Sequence, residues 1–328
     1  MKPHETGVGF GAETGAALLS VLILVGIMGA IAVAVFDRLR LATTLARNAA
    51  GQEQARAYAL AGETLIMAKI DDLFGSGARG GDWQNRAMLL PLPTGTAQVT
   101  LADGGNCFNL NSLVAGMAPA ALETRPAATA QFTALLRLLG IPDAEARRVV
   151  GATADWIDSD SLVGPDGAED ETYARAPQPY RTGNTLLAEA SEWRAIAGVA
   201  PYYARLRPWV CALPIAELSP INVNTLTPAQ APLLAMLLPQ TAGVATAQRA
   251  LAERPRAGWP NLGEFWNSPA LRSSQPGAEA LTQPRVRTDW VAMTMAVETA
   301  GAELTQSALV DARQSPSRAV SRRWTPDE

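Results

Sequence analysis

The longest apolar stretch of the chain runs from Ala16 to Phe36 and contains no Asp, Glu, Lys or Arg. As a helix it spans about 31 Å, close to the hydrocarbon thickness of a bilayer. A cleaved secretory signal has a shorter apolar region behind a basic segment, whereas residues 1–15 hold one Lys against two Glu. A buried core helix is the remaining alternative, but no other segment of this chain is nearly as apolar. The pattern therefore favours a single membrane-spanning helix.

The helical pattern continues beyond the apolar stretch. From Asp37 to Ile70 there is no Pro, and Ala, Leu, Arg, Gln and Glu, which are good helix formers, dominate. Apolar residues at i, i+4 spacing give this part a thin stripe, made of Leu41, Leu45, Ala55, Ala59, Ile66 and Ile70. We predict one long helix with a transmembrane part at 16–36 and an amphipathic part at 37–75, ended by Gly-rich sequence.

The middle of the chain has helical spacing, and strand patterns lie on either side of it. The predicted helices are Gln131–Leu139, Asp143–Ile157, Thr185–Ile196, Pro228–Leu238 and Val244–Glu253. The predicted strands are Thr96–Ala102 and a late hairpin of Asp289–Val297 with Glu303–Asp311. We therefore predict an α+β fold. A small antiparallel sheet from 96–112 and 285–312 carries a large helical insertion at 113–284, and 313–328 forms a flexible tail.

The N-terminal region resembles type IV prepilin-like proteins, which have a short polar leader ending in Gly before such a helix. In that family a dedicated peptidase cuts after the Gly, and the matching site here is Gly15 before Ala16. The family usually has Glu at the fifth mature position, whereas this chain has Ser20. One branch lacks that Glu: the K-class minor pseudopilins of type II secretion, the general secretion pathway protein K family.

Four further segments are similar to motifs of the K-class branch and occur in the same order. They are CFNLNSL (107–113), DWIDSDSLVGPDGAEDETY (155–173), YYARLRPWVCALP (202–214) and PINVNTLTPA (220–229). With the N-terminal helix they cover most of the chain. The resemblance implies a pilin-like sheet bearing a helical insertion domain of SAM or helix-hairpin-helix type.

The resemblance also implies a role, partners and a location. The expected role is a minor pseudopilin at the tip of the pseudopilus, which helps to initiate its assembly and to export folded proteins across the outer membrane. Expected partners are the I-, J- and H-class minor pseudopilins, the major pseudopilin, the inner-membrane assembly platform and the prepilin peptidase. The expected location is the inner membrane, single-pass, with a periplasmic C-terminal domain. Arg38, Arg40 and Arg47 follow the span and alone favour the opposite orientation, but the resemblance outweighs them.

An acidic segment, Asp155–Glu171, holds seven carboxylates, and no Lys or Arg lies between Arg148 and Arg175. Such density is explained either by a solvated loop or by a bound cation, and calcium takes six to eight oxygen ligands. The segment does not follow the EF-hand pattern, but a turn at Gly164–Gly167 would return its second half onto the first. The resemblance implies structural calcium. The predicted ligands are Asp158, Asp160, Glu169 and Asp170, with Asp155 and Glu171 as further candidates.

Cys107 and Cys211 are the only cysteines in the chain. In a periplasmic domain, as the resemblance implies, they are expected to form one disulfide. The alternative is two unpaired buried thiols. A metal site at the cysteines is not expected, because the single His, His4, lies in the leader.

Other classes of function find little support in the sequence. Residues 221–266 resemble a helix-hairpin-helix module, and 107–113 with 138–158 echo it as an internal repeat, but neither copy has the Gly-x-Gly turn that meets a phosphate. The net charge is −4, so no nucleic-acid partner is expected. No nucleophile–base pair or P-loop is present, so we expect no enzyme activity. The alternative function is a membrane-anchored calcium-binding or DNA-uptake ectodomain.

The paired Asn109, Asn111, Asn222 and Asn224 are expected to form hydrogen bonds with helix ends or turn backbones.

Overall fold

The computed structural model describes residues 13–75, 77, 80–117, 121–238, 243–299 and 301–324, with only the backbone of residues 13–15. Helix α1 runs without interruption over Glu13–Gly75, a length of about 95 Å. In the described part of the chain, α1 is the one helix long and apolar enough to cross a membrane, and none of its most apolar window is buried. The leader before Glu13 lies outside the described residues.

The second half of α1 packs on a sheet through the predicted stripe. Ala55, Ala59, Ile66 and Ile70 are buried, and they meet apolar side chains of the strands in one core. Leu41 and Leu45, earlier in the same stripe, stay exposed, because α1 projects beyond the sheet there.

The sheet has five strands, all paired antiparallel, in the order β1-β2-β7-β8-β9. They are β1 Met88–Leu92, β2 Gly95–Asp103, β7 Trp290–Thr299, β8 Ala302–Asp311 and β9 Arg318–Arg323. The predicted early strand and late hairpin are thus confirmed. Alternate residues of β2 and β7 face α1 and are buried, while those between them are more exposed, which is the two-sided pattern of a sheet covered on one face.

Two strands of this sheet were absent from the sequence prediction. Strand β1 carries Pro91, and a Pro inside a short apolar run argues against a strand unless it lies at a sheet edge, as here. Strand β9 lies in the predicted flexible tail, and that prediction is wrong for residues 318–323. The strand is too polar to stand out in the sequence. It is held by Arg322, which pairs with Glu63 on α1.

The insertion between β2 and β7 contains short strands, helices and 3₁₀ turns around its own core. Its strands are β3 Phe108–Asn109, β4 Val114–Met117, β5 Ala121–Thr124 and β6 Val210–Cys211. Its helices are α2 Pro126–Leu138, α3 Asp143–Ile157, α4 Asp170–Tyr173, α5 Tyr203–Leu206, α6 Ala231–Ala235, α7 Gly243–Ala252, α8 Leu262–Trp266 and α9 Ala278–Thr282. Of the predicted helices, α3 has the expected bounds, whereas Thr185–Ile196 forms only a 3₁₀ turn at Ala190–Ala195.

Two Asn-x-Asn motifs build equivalent turns and support the predicted internal repeat. The Asn111 amide N–H donates to Asn109 Oδ1 (3.3 Å), and the Asn224 amide N–H donates to Asn222 Oδ1 (3.0 Å). In each copy the second Asn also donates through Nδ2 to two backbone carbonyls of distant loops. As predicted, these side chains form hydrogen bonds with turn backbones. Each motif thus stabilises the start of one helical unit of the insertion: the first unit follows Asn109, and the second follows Asn222.

Asp103, at the end of β2, joins the sheet to the second helical unit. Its carboxylate accepts hydrogen bonds from Thr225 Oγ1 (2.7 Å), Thr288 Oγ1 (2.8 Å), Asn222 Nδ2 (2.9 Å) and the Gly105 amide (3.0 Å). Burial raises the pKa of Asp103, and these four donors oppose the rise. The insertion is therefore attached to the sheet by the half-buried carboxylate of Asp103, which accepts four hydrogen bonds.

Candidate metal centre

The acidic segment leaves the C-terminal end of α3 and returns to the start of α4. Asp158 is the C-terminal capping residue of α3, and Glu169 immediately precedes α4. Between them the chain turns where the sequence predicted, because the Gly167 amide donates to the Gly164 carbonyl (3.0 Å). Asp166 has a left-handed φ of 60°, which Asp tolerates better than most residues.

This turn brings three of the four predicted ligands together. Asp158, Asp160 and Glu169 each offer a carboxylate oxygen within 4.8 Å of the others. Asp158 and Glu169 are buried, and Asp158 Oδ1 and Glu169 Oε1 have no hydrogen-bond partner in the described structure. A buried carboxylate oxygen without a partner is costly, and a hard cation binds such oxygens. These residues fit a calcium ion.

Electrostatics within the group point the same way. Burial, and then the carboxylates of Asp160 and Asp155, raise the pKa of Asp158 to about 6, against a lowering hydrogen bond from Thr124. Burial also raises the pKa of Glu169, with smaller contributions from Asp155 and Asp158. In addition, Asp155 and Asp158 stand at a helix C-terminus, where the macrodipole disfavours anions and favours cations. A cation would remove each of these costs.

Asp155 holds the loop rather than facing the group of three. It is buried, its Oδ2 accepts the Gly164 amide (3.0 Å), and a backbone hydrogen bond from Ala168 also reaches it. Burial raises the pKa of Asp155 more than these bonds lower it. Its carboxylate therefore sets the position of the turn beside the group.

Two of the predicted candidates lie elsewhere. Asp170 Oδ1 accepts from both the Thr182 amide and the Thr182 hydroxyl (2.9 Å each), and these bonds lower its pKa. The structure thus does not bring Asp170 into the group of three. Glu171 is exposed and pairs with Arg175 on the solvent side of α4. Both residues point away because α4 starts at Asp170 and turns them to other faces.

Asn184 is a candidate ligand that the sequence did not reveal. Its Nδ2 donates to the Asp160 carbonyl (2.8 Å), while its Oδ1 is buried without a partner. A neutral amide oxygen beside carboxylates is a common calcium ligand. Asn184 lies beyond the acidic segment in the sequence. It has a left-handed φ of 44°, and an Asn at such a position suggests a turn rather than a metal ligand.

A disulfide braces the base of the insertion. Cys107 and Cys211 are joined, with their Cα atoms 5.8 Å apart, next to the parallel pairing of β3 with β6. The bond closes a loop of 104 residues, and in the chain-entropy model such a loop contributes about 4 to 5 kcal/mol.

Comparisons with known proteins place this arrangement in a family. The family described as type II secretion system (T2SS), protein K, matches residues 106–215 and 221–287, so each match begins at one of the Asn-x-Asn units. Type II secretion system protein K of Pectobacterium carotovorum subsp. carotovorum is 31% identical over 95% of this chain and 96% of its own length. The type II secretion system protein K of Aeromonas hydrophila is 36% identical over 82% of this chain and 84% of its own length.

A solved structure has the same fold. It is the crystal structure of the GspK-GspI-GspJ complex from the enterotoxigenic Escherichia coli type 2 secretion system. The matching chain of that structure is 28% identical to this chain. The TM-score is 0.72, over 84% of this chain and 97% of the other. A long apolar helix, a sheet and a helical insertion of this kind define a minor pseudopilin of type II secretion. The chain belongs to the type II secretion system protein K family.

Proposed function

We propose that the mature protein begins at Ala16 and is anchored by α1 in the inner membrane, with its C-terminal domain in the periplasm. Gly15 and Ala16 lie in the first turn of α1, and the apolar window after them is uncovered by the chain itself. Cleavage there by the prepilin peptidase would leave a free amino terminus at the head of the apolar helix. The disulfide agrees with an oxidising compartment.

The observation that carries the role is the set of uncovered apolar side chains on α1 beyond the membrane segment. Leu41 and Leu45 are exposed where α1 projects beyond the sheet, and Leu60 and Leu65 are exposed on turns of α1 whose other residues pack on the sheet. Exposed large apolar side chains along a long helix mark a helix-packing surface. We propose that it packs against the helices of the I- and J-class minor pseudopilins, then the H-class one and the major pseudopilin, at the assembly platform.

We place the protein at the tip of the pseudopilus, where it helps to initiate assembly and export of folded proteins. Ser20 carries no charge, and its hydroxyl already lies against the carbonyls of Ala16 (3.1 Å) and Ala17 (2.9 Å) in its own helix. It therefore cannot neutralise the amino terminus of a subunit above. The insertion domain, attached through Asp103, adds bulk that would obstruct another subunit. The proposed role is structural rather than catalytic.

Calcium is proposed as a structural cofactor held by Asp158, Asp160 and Glu169, with Asn184 as a neutral ligand. When bound, the ion supplies positive charge to carboxylates that otherwise repel one another in a buried setting. The two carboxylate oxygens without partners support this assignment.

A DNA-uptake role is disfavoured at the first helix-hairpin-helix copy. The helix that would receive a phosphate there is α3, and its first turn carries Asp143 and Glu145. Asp143 forms ion pairs with Arg137 and Arg147. The helix N-terminus therefore already carries a carboxylate, and the two arginines that could bind a phosphate there are paired with it. The turn of the second copy, residues 239–242, lies outside the described residues.

The test is to purify the protein from its native membrane. Intact-mass analysis should give a chain starting at Ala16, and the I- and J-class minor pseudopilins should co-purify in detergent. A chain starting at Met1 would contradict prepilin processing. A correctly processed chain that co-purifies with no pseudopilin would contradict the assembly role and leave the ectodomain alternative.

A further inference from the structure

Three arginines follow the apolar segment of α1, and the proposed function gives them no role. They are Arg38, Arg40 and Arg47, and the only carboxylate in residues 14–52 is that of Asp37. In the described part of the chain all three arginines are exposed, and none of them forms an ion pair with a carboxylate. Arginines directly after a span disfavour its insertion with that side in the periplasm. Their presence therefore requires an explanation.

Helix geometry gives the depth of these arginines relative to a bilayer. At about 1.5 Å per residue, the Cα atoms of Arg38 and Arg40 lie about 3 and 6 Å beyond Phe36, where the apolar stretch ends. The headgroup region on each side of a bilayer is about 5 to 8 Å thick. Arg47 lies about 17 Å beyond Phe36, outside this region. Arg38 and Arg40 are therefore level with the lipid phosphates when residues 16–36 span the membrane.

The side chain of Arg40 turns back toward the apolar segment. Its guanidinium carbon lies 5.7 Å from the centre of the Phe36 ring, in the N-terminal direction that helical side chains normally take. Phe36 is 63% exposed, so the guanidinium lies on the outside of the helix and not in a protein pocket. A planar guanidinium binds phosphate with two parallel hydrogen bonds. Such a group is therefore held at the level where the apolar stretch ends.

Arg38 and Arg40 lie on different sides of α1, about 200° apart around the helix axis. Leu41 and Leu45, which we propose to pack against other pseudopilins, lie within about 60° of Arg38. Arg40 is about 100° from Leu41 and about 140° from Leu45. Arg40 therefore stays open to lipid even where neighbouring helices cover the leucines.

We propose that Arg38 and Arg40 bind the phosphates of anionic phospholipids at the bilayer surface where α1 leaves the membrane. The inference rests on the membrane anchoring proposed above, but it holds for either orientation of the chain. Residues 37–52 carry three positive charges and one negative charge, and anionic headgroups complement this excess. Lipid is favoured over a carboxylate of a neighbouring protein because none of the most apolar window of α1 is covered by the chain. The bound phosphates fix the depth of α1 in the bilayer.

The experiment reconstitutes the full chain in nanodiscs that contain equal amounts of phosphatidylglycerol and phosphatidylcholine. Native mass spectrometry then counts the lipids that stay bound to the protein. The native chain should retain phosphatidylglycerol in preference to phosphatidylcholine. Arg38→Gln and Arg40→Gln should each lower the ratio of the two bound lipids by up to about fivefold, the contribution of one arginine near an anionic surface.

Three further variants test charge and depth separately. Arg47→Gln is the matched control and should leave the lipid ratio unchanged, because this arginine lies outside the headgroup region. Arg40→Lys keeps the charge and should retain most of the preference. Asp37→Asn removes the only carboxylate at this level, so it should raise the ratio. A native chain without preference for phosphatidylglycerol, or an equal loss with Arg47→Gln, would overturn the inference.

Two companion measurements separate this inference from the proposals on which it rests. If alkaline carbonate releases the native chain from membranes, the anchoring itself is wrong and the inference falls with it. A chain that resists carbonate but shows no lipid preference contradicts the lipid inference alone. If Arg38→Gln and Arg40→Gln leave the lipid ratio unchanged but abolish co-purification of the I- and J-class pseudopilins, the arginines bind protein and not lipid.

Discussion

Arg322 of the tail strand and Glu63 of α1 form an ion pair across the sheet face, with Arg322 Nε 2.7 Å from Glu63 Oε2. Glu63 is buried, and Gln306 of β8 donates to the same carboxylate. Arg322 is about a third exposed, with a side-chain exposure of 37%. The pair therefore joins three separate parts of the chain, namely the long helix, the late hairpin and the tail.

We expect Arg322→Ala to destabilise the protein because it leaves a buried carboxylate without its cation. Breaking a fully buried pair costs about 3 to 5 kcal/mol, and the partial exposure of Arg322 reduces the expected loss to about 2 kcal/mol. Denaturant unfolding of the full chain in detergent, followed by tryptophan fluorescence, measures it. Arg318→Ala, at an exposed position of the same strand, is the control and should change stability by less than about 0.5 kcal/mol. Equal effects of the two variants would contradict a specific role of the pair.

Chelation of calcium should lower the melting temperature of the full chain in detergent, and added calcium should restore it. A ligand at about 100 times its Kd stabilises by about 2.7 kcal/mol, which corresponds to a shift of about 5 to 10 °C for a domain of this size. The physical reason is that Asp158 and Glu169 are buried with oxygen atoms that lack partners.

The matched variants for the calcium prediction are Asp158→Asn and Glu171→Gln. The first should melt at the same temperature with and without chelator, because it removes a central ligand. The second should respond as the native chain does, since Glu171 pairs with Arg175 in solvent. A native melting curve that chelator leaves unchanged would end the calcium assignment.

The stabilisation by calcium should depend on pH. In the cation-free protein burial raises the pKa of Asp158 from 3.8 to about 6. The folded state therefore holds the proton of Asp158 more tightly than the unfolded state does. Protonation of Asp158 stabilises the cation-free protein fully below pH 3.8, and this stabilisation is lost as the pH rises through about 6. Calcium binds the ionised carboxylate, so its stabilising shift should be larger at about pH 7 than at about pH 5. Melting curves with and without calcium at both values measure this, and a pH-independent difference would contradict it.

The sequence predicted those parts of the fold that depend on local pattern. The continuous α1, the bounds of α3 and the β7–β8 hairpin all follow from periodicity and turn residues within one segment. The strand β9 did not, because its polar sequence becomes a strand by pairing with β8 and by the ion pair of Arg322 with the distant Glu63. Tertiary pairs of this kind leave no local signal.

The candidate site divides in the same way. Asp158, Asp160 and Glu169 stand within one acidic segment, and its density with the Gly164–Gly167 turn was enough to suggest them. The structure does not bring Asp170 into this group, because the start of α4 turns its side chain toward Thr182. Asn184 gave no signal in the sequence, because it lies outside the acidic segment and only the folded chain brings its side chain to the Asp160 carbonyl.

Ser20→Glu tests the proposed position at the tip. The resemblance to pilin-like proteins implies that a Glu at this place neutralises the amino terminus of the subunit ahead. A carboxylate in an apolar helix is costly unless it finds such a partner. We therefore expect the variant chain to enter positions below the tip, and its amount relative to the major pseudopilin in isolated pseudopili should rise severalfold.

Ser20→Gln is the control for this prediction, since Gln is polar and similar in size to Glu but carries no charge. If Ser20→Glu changes neither the minor-pseudopilin complex nor secretion, the charge argument for the tip is unsupported. The bulk of the insertion domain would then have to account for the position alone.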